Sequence, residues 1–266
     1  MRADSEATSL PGDQLFEGGA TGRYCGLSQA EIGELTGAPH ALLFGDVSST
    51  MDVAHEAAAN GAPSGTIVLA EHQRKGRGRG GNEWRSEPAS GVWLTLVERP
   101  WEGAPVELMS IRAGLALAPA LDRFATAPIG LKWPNDLYVH GRKLGGILLE
   151  ARWRDGRAEW VALGVGINVT PPADMSEAAG LRQGVTALEI LAAIVPALRR
   201  ALTRRGPLSA SELDAFGRRD ITLGKRCREP AAGIARGINE SGELLVESSG
   251  AVSAHRSGSL VLETPR

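Results

Sequence analysis

Gln73-Arg74-Lys75-Gly76-Arg77-Gly78-Arg79-Gly80-Gly81-Asn82-Glu83-Trp84-Arg85 follows closely on the apolar run Thr66-Ile67-Val68-Leu69-Ala70. The run reads as a buried strand. The thirteen residues after it hold five basic side chains, four glycines and one indole. A glycine-rich loop leaving a strand end can bring its backbone N–H groups close to an anion, and interspersed arginines add planar donors for carboxylate or phosphate. The stretch therefore reads as an anion-binding loop on a sheet, with a solvated basic linker as its alternative.

Outward from the loop, Val92–Val97 alternates and is expected to form, with its neighbour, one edge of a sheet around the loop. Upstream, Ala41–Phe44 reads as a strand. Ser49 and Asp52, three apart, then open a helix through Val53, Ala54, Ala57 and Ala58 that Asn60-Gly61 stops. Serine and threonine at that N-terminus are ordinary caps, or lie where free N–H groups help to bind a ligand. Ser28 and Glu31 make a capping box for a short helix that closes at Gly37. Downstream, Leu108, Ile111, Leu115, Ala118 and Leu121 recur at helical spacing between Pro105 and Phe124. Ile129–Trp133 reads as a strand halted by Pro134-Asn135-Asp136. Leu137–Val139 pairs with Leu144–Glu150 across a tip near His140–Lys143, and Trp160–Val169 adds another strand. Thr186 and Glu189 cap a helix running to Leu202, and Ser209–Phe216 forms the next.

Past residue 220 the character changes. Gly233–Arg236, Glu243–Glu247 and Ser259–Leu262 are short β-like runs separated by turns such as Asn239–Gly242. They predict a small antiparallel barrel with a boundary near Gly217. The fold class is α+β, a mixed sheet with packed helices plus a small C-terminal barrel. The parts are an extension over 1–40, a main domain over 41–217 and the barrel over 218–266.

Of the 266 residues, 42% are apolar and 23% charged, which fits an ordinary globular protein. A net charge of −2 argues against a general nucleic-acid binder, so any positive field is local. Cys25 and Cys227, far apart, indicate neither a disulfide framework nor a cysteine metal site, and a reduced cytoplasm fits them. The N-terminus has no apolar core of a signal peptide and no stretch approaches eighteen apolar residues, so neither export nor membrane insertion is expected. Residues 1 to about 22, rich in Gly, Ser, Asp and Glu, read as a loosely draped extension.

Three further segments place basic and amide groups at strand ends: Lys132-Trp133-Pro134-Asn135-Asp136, Gly141-Arg142-Lys143-Leu144-Gly145-Gly146 and Gly164-Val165-Gly166-Ile167-Asn168. Singly each is weak, because a strand-end lysine is usually solvated and an Asn-Asp pair after proline is usually a turn. In this order and spacing the set resembles the biotin protein ligases over roughly residues 40–266. The helix start Ser49-Thr50, the Gln73–Arg79 loop followed by Trp84, and all five positions of Lys132–Asp136 match. So do Gly141–Leu148, Gly164–Asn168, and Gly224-Lys225, Gly237-Ile238 and Ser257-Gly258 in the tail, which the resemblance makes SH3-like. Two positions depart: Asn82 stands where the family loop carries a further Arg, removing one phosphate donor, and Met51 stands where Asn follows Ser-Thr. The family's optional DNA-binding module is not expected, since residues 1–40 offer no second helix with a recognition face.

The resemblance implies an enzyme that joins biotin to ATP, giving biotinyl-adenylate, and passes biotin to a lysine of a biotin carboxyl carrier protein domain. It places biotin on Ser49, Thr50, Gln73, Gly76, Arg77, Lys143 and Gly146. It places ATP on Arg79, Trp84, Lys132, Asn135, Asp136 and Asn168. Lys143, Arg79 and Asp136 carry the chemistry, with Lys143 as the central cation. Mg²⁺ arrives with ATP rather than on protein ligands alone; Asp136 either orients it or assists the incoming lysine. The loop is expected to be a lid, disordered when empty, and Trp133 to belong to the core. No nucleic-acid or membrane partner is implied, and the chain is a cytoplasmic monomer or homodimer. A lipoate or octanoate ligase on the same fold is the nearest rival, but the Arg-Arg-x-x-Gly-Gly stretch common there is missing. A non-catalytic RNA-binding module reading Arg77–Gly81 as an RGG element is opposed by the acidic balance and only 5% aromatic residues.

Overall fold

Strands whose successive side chains are all buried need cover on both faces, and this chain supplies it with helices. In strand β1, His40–Val47, Leu42 and Phe44 face one core, while Ala41 and Leu43 face the other. In β2, Thr66–Gln73, Val68 and Ala70 alternate with Ile67 and Leu69 in the same way. The computed structural model describes residues 21–263, so half of the expected N-terminal extension over 1–40, and with it part of the basis for not expecting a DNA-binding module, lies outside the described residues.

The main sheet adds β3 (Gly91–Glu98), β4 (Gly130–Lys132), β5 (Asp136–Val139), β6 (Arg142–Arg154) and β7 (Arg157–Asn168). Its seven strands run β1-β2-β3-β7-β6-β5-β4, and only the β1–β2 pair is parallel. Strand β3 was expected at an edge. It is instead an inner strand, paired with β2 and β7, because the long β6–β7 hairpin packs against it. The β5–β6 tip is tighter than expected. Val139 pairs with Arg142, leaving His140 and Gly141 as a two-residue turn, both at positive φ (50° and 72°), as a type I′ turn demands.

Helix α1 (Gln29–Thr36) has the expected Ser28–Glu31 capping box and ends on Gly37 in the left-handed conformation. Helix α2 (Thr50–Ala59) is capped by Ser49 and covers one face of the sheet. Helices α3 (Met109–Asp122) and α4 (Ala187–Leu202) cover the other, α4 with its predicted Thr186–Glu189 box. Helix α5, Ala210–Arg219, runs through Gly217 rather than stopping there.

The tail is a five-stranded antiparallel sheet of β8 (Arg226–Glu229), β9 (Gly233–Ile238), β10 (Leu244–Ser248), β11 (Ala251–His255) and β12 (Val261–Leu262). Trp133, a core residue as expected at 2% exposure, fastens this tail by donating from Nε1 to the Gly242 carbonyl at 3.0 Å. A buried ion pair links α3 to α5. Arg112 Nε meets Glu212 at 3.1 Å, and the guanidinium also donates to the carbonyls of Arg204, Gly206 and Pro207. Both edges of the main sheet are blunted, since Thr21 N donates to Leu43 on β1 and Ile221 N to Leu131 on β4, each at 3.0 Å.

Candidate active site

A cavity of about 510 Å³ opens where β2, β3, β6 and β7 meet the start of α2. Its floor is made of glycines. On β7, Gly164 and Gly166 point into the cavity while Leu163, Val165 and Ile167 are buried between sheet and helices, and Gly146 on β6 extends the same surface. A Cβ on Gly164 would lie 2.9 Å from Met51 Sδ, and one on Gly166 2.6 Å from the Trp84 indole. The glycines thus let two large side chains lie flat on the sheet. Met51, where the resemblance has Asn, gives the slot an apolar wall.

One end of the slot is polar and uncharged. Thr50 donates from its backbone N–H (2.9 Å) and its hydroxyl (3.0 Å) to Gln73 Oε1. Gln73 Nε2 donates to Ser86 Oγ at 2.9 Å, and Thr95 Oγ1 donates to Thr50 Oγ1 at 2.8 Å. Ser49 caps α2 by accepting from Met51 N, and its side chain is fully buried. All five polar side chains are buried. Each hydrogen bond here replaces one to water, so the group is held in a single arrangement at modest net cost.

The other end is cationic. Lys143 Nζ lies 2.7 Å from Asp136 Oδ1 and 5.4 Å from the centre of the Trp84 ring. The β6 register shifts between Lys143 and Gly145, and this bulge puts Lys143 and Gly146 on the cavity side while Leu144 goes to the core. Lys132 pairs in register with Asp136 on β5. Burial pushes the Lys132 ammonium below its ordinary range and Lys143 adds to the fall, with Asp136 opposing. Arg79 is lowered likewise by burial, again opposed by Asp136. Asn135 positions Arg79: its Oδ1 accepts from Arg79 Nη1 at 3.3 Å while its Nδ2 donates to the Ile147 carbonyl at 2.7 Å.

The glycine–arginine segment forms a short hairpin over the cavity. Gly76–Arg77 pairs antiparallel with Glu83–Trp84, and Gly78 N donates to Asn82 O at 2.7 Å. Asn82 closes its tip by donating from Nδ2 to the Arg79 carbonyl at 2.8 Å. Arg77 borders the cavity, yet its guanidinium is held by Asp52 (2.9 Å) and Glu150 (3.3 Å). His55 Nε2 pins Glu150 at 2.9 Å, and Trp160 Nε1 pins His55 at 2.9 Å.

Of the residues singled out in the sequence, Ser49, Thr50, Gln73, Arg77, Arg79, Trp84, Lys132, Asn135, Asp136, Lys143 and Gly146 come together around this one cavity. Gly76 and Asn168 do not border it. Gly76 is part of the hairpin itself, paired with Trp84, where a Cβ would come within 2.3 Å of the Trp84 carbonyl, and Asn168 sits buried at the end of β7 opposite Gly91. Three contributors escaped the sequence reading. Thr95 and Ser86 lack any local signal. The tail's Gly258–Val261, seen only as part of a distant motif, forms one cavity wall, with Arg79 Nη1 3.3 Å from the Gly258 carbonyl.

The Mg²⁺ that the resemblance implies does not fit as a protein-held cofactor. Among the described residues no three His, Cys, Asp or Glu side chains cluster to hold a metal. Asp136, the acid that meets the Lys143 ammonium, is already paired with it. Nor, among the described residues, is any helix long and apolar enough to cross a membrane.

Comparison with known proteins bears on this geometry. Residues 44–168, from β1 to the end of β7, match the model of the biotin/lipoate A/B protein ligase family. The biotin–[acetyl-CoA-carboxylase] ligase of Mycobacterium tuberculosis is 31% identical over 271 residues, covering 94% of this chain and 92% of its own. The bifunctional ligase/repressor BirA of Bacillus spizizenii is 38% identical over 137 residues, of which the matched part is 50% of this chain and 42% of that protein, so the chain spans about two fifths of that relative's length. The biotin protein ligase of Aquifex aeolicus, solved with biotin and ATP, shares the fold with a TM-score of 0.70 at 23% identity, over 85% of this chain and 99% of its own. With the sheet, the glycine floor and the full-length relative in agreement, the chain belongs to the biotin/lipoate A/B protein ligase family.

Proposed function

We propose that the chain is an ATP-dependent biotin protein ligase, acting on a lysine of a biotin carboxyl carrier domain. The observation that carries this reading is the polarity of the slot: a neutral, hydrogen-bonded end suited to a cyclic urea is joined through an apolar wall to a cationic end suited to two anions. The named activities of the Mycobacterium tuberculosis and Aquifex aeolicus proteins support it.

In the first step a biotin carboxylate oxygen attacks the α-phosphorus of ATP, the bond to the β-phosphate bridging oxygen breaks, and pyrophosphate leaves with that electron pair. Two anions must meet, so the residues work by neutralising charge and by alignment. Lys143 sits between the glycine floor and Asp136 and is the cation between carboxylate and phosphorus. Arg79, held by Asn135, and Lys132 face the phosphates. In the second step a neutral lysine amine attacks the acyl carbon, AMP departs, and the amine loses its proton. Asp136 is the carboxylate within the site that can receive it. The Trp84 hairpin and the Gly258–Val261 wall shield the mixed anhydride from water. Two free thiols, exposed Cys25 and buried Cys227, suit a reducing cytoplasm.

Transfer of labelled biotin, compared with labelled lipoate, to a carrier domain in the presence of ATP tests the reading. Biotin-only transfer is expected. Lipoate transfer without biotin transfer overturns it, and salt-sensitive RNA retention with no turnover replaces it by the binding-module alternative.

A further inference from the structure

We infer that Thr95 and Ser86 are positioning residues that fix the direction of the protons at the polar end of the slot and thereby its choice of substrate ring. The inference rests on the biotin-ligase reading above and deepens it. A single backbone group sets the order. The N–H of Thr50 can only donate, so the Gln73 side-chain atom 2.9 Å away is the carbonyl Oε1. The amide nitrogen then faces the opposite way and donates to Ser86 Oγ at 2.9 Å. The Thr50 hydroxyl, 3.0 Å from that same Oε1, meets an acceptor and must donate. One of its lone pairs accepts in turn from Thr95 Oγ1 at 2.8 Å.

The relay leaves little freedom. Gln73 Oε1 already accepts twice, so the amide has only its second N–H to offer a ligand, and Thr50 has only its remaining lone pair. One donor beside one acceptor matches a ring with a carbonyl next to an N–H, as in a cyclic urea, whereas a dithiolane ring satisfies neither. Thr95 is 0% and Ser86 5% exposed, and neither borders the cavity, so both act through Thr50 and Gln73. Gly76 belongs to the same device. A Cβ there would stand 3.0 Å from Ser86 Oγ and 3.1 Å from Gln73 Nε2, in the space their hydrogen bond needs.

The test uses the full chain and biotin-dependent ATP–pyrophosphate exchange, with lipoate as the competing acid. Thr95→Val keeps the shape of the side chain and removes its donor, and Ser86→Ala removes the acceptor. Each is expected to raise the biotin KM by about 5- to 10-fold, the loss of one oriented hydrogen bond. The ATP KM stays within about twofold, and the biotin-over-lipoate preference falls by the same factor as biotin use. Thr95→Ser restores the biotin KM to within about twofold, because the donor returns. An unmoved biotin KM in both variants, an equal rise in the ATP KM, or a Thr95→Ser variant as poor as Thr95→Val reduces these residues to packing and overturns the inference. A wild-type chain that activates no biotin removes the biotin-ligase reading and this inference together, whereas active wild type with unmoved variants removes the inference alone.

Discussion

At one end of the slot Thr50, Gln73, Ser86 and Thr95 share hydrogen bonds with no formal charge among them, while at the other Arg79, Lys132 and Lys143 gather round the single carboxylate of Asp136. The first end is buried, and its internal hydrogen bonds leave one N–H of Gln73 and one lone pair of Thr50 open. The second holds more positive charge than it neutralises, and Lys143 keeps a third of its side chain exposed at 35%. A neutral network with one open donor and one open acceptor selects by shape and by hydrogen-bond parity, since a wrong ring leaves those buried groups unpaired. A surplus of half-buried cations instead attracts anions and stabilises charge that develops during reaction, with less demand on ring shape. Recognition and chemistry are thus separated along one cavity.

Removing Lys143 should have the largest effect. Lys143→Ala is expected to slow biotin-dependent ATP–pyrophosphate exchange by about 10²- to 10³-fold with an unchanged circular-dichroism spectrum, as for the loss of one preorganised electrostatic contact. Near-normal exchange would take Lys143 out of the chemistry. At the opposite end, Gln73→Glu exchanges the donor for a second acceptor. It should raise the biotin KM by about 10- to 100-fold while the ATP KM holds, and a matching rise in both would erase the separation of the two ends.

Acidity distinguishes the ends next. Burial lowers the Lys132 pKa, so the ammonium loses its proton at a lower pH than a solvated lysine as pH rises, and the adenylation rate should fall on the alkaline side. Its folded pKa lies below the unfolded value. Lys132 therefore costs stability while charged, and that cost disappears as pH climbs through the depressed pKa towards the unfolded one. Lys132→Arg, which stays charged, should flatten the alkaline limb, whereas the biotin KM, set mainly by the neutral Thr50–Gln73 network, should change less with pH. An alkaline limb that persists in Lys132→Arg assigns it to another group.

The smallest effect is expected where the hairpin meets the rim. Glu150→Gln weakens the hold on Arg77 and should change the biotin KM by about twofold to threefold, in line with a partly exposed ion pair. A change above tenfold would make the Asp52–Glu150 pair part of recognition. Asn82→Arg, expected from sequence to tighten nucleotide binding, also loses the Nδ2 bond that closes the hairpin tip. Nucleotide titration reads the balance, and weaker binding would show that the tip's geometry outweighs the added charge.

Much of this molecule was legible in its sequence because local signals carried it. Capping boxes at Ser28 and Thr186 mark two helix starts, and each is present with its reciprocal hydrogen bonds; the structure adds a third at Ser209. Apolar runs such as Thr66–Ala70 announced buried strands, and the structure shows them covered on both faces. Pairing partners were not legible. Val92–Val97 carries no mark that distinguishes an inner strand from an edge one, because its neighbour β7 lies some seventy residues on. Ser86 and Thr95 were passed over for the same reason, as a hydroxyl in a loop or mid-strand has no local sign of its partner. The resemblance placed Arg77 at the ligand and it borders the cavity, but nothing in the sequence signalled Asp52 and Glu150, two acids brought to its guanidinium from α2 and β6.

The sequence by itself determined the main helices, most strand segments and the residue types of the site, because propensity, capping and periodicity act over a few residues. Only the tertiary structure decided the strand order, the wall that Gly258–Val261 adds from the tail, and the proton order at Gln73. Those depend on which distant groups meet, and a hydrogen bond has a direction only when both partners are in place.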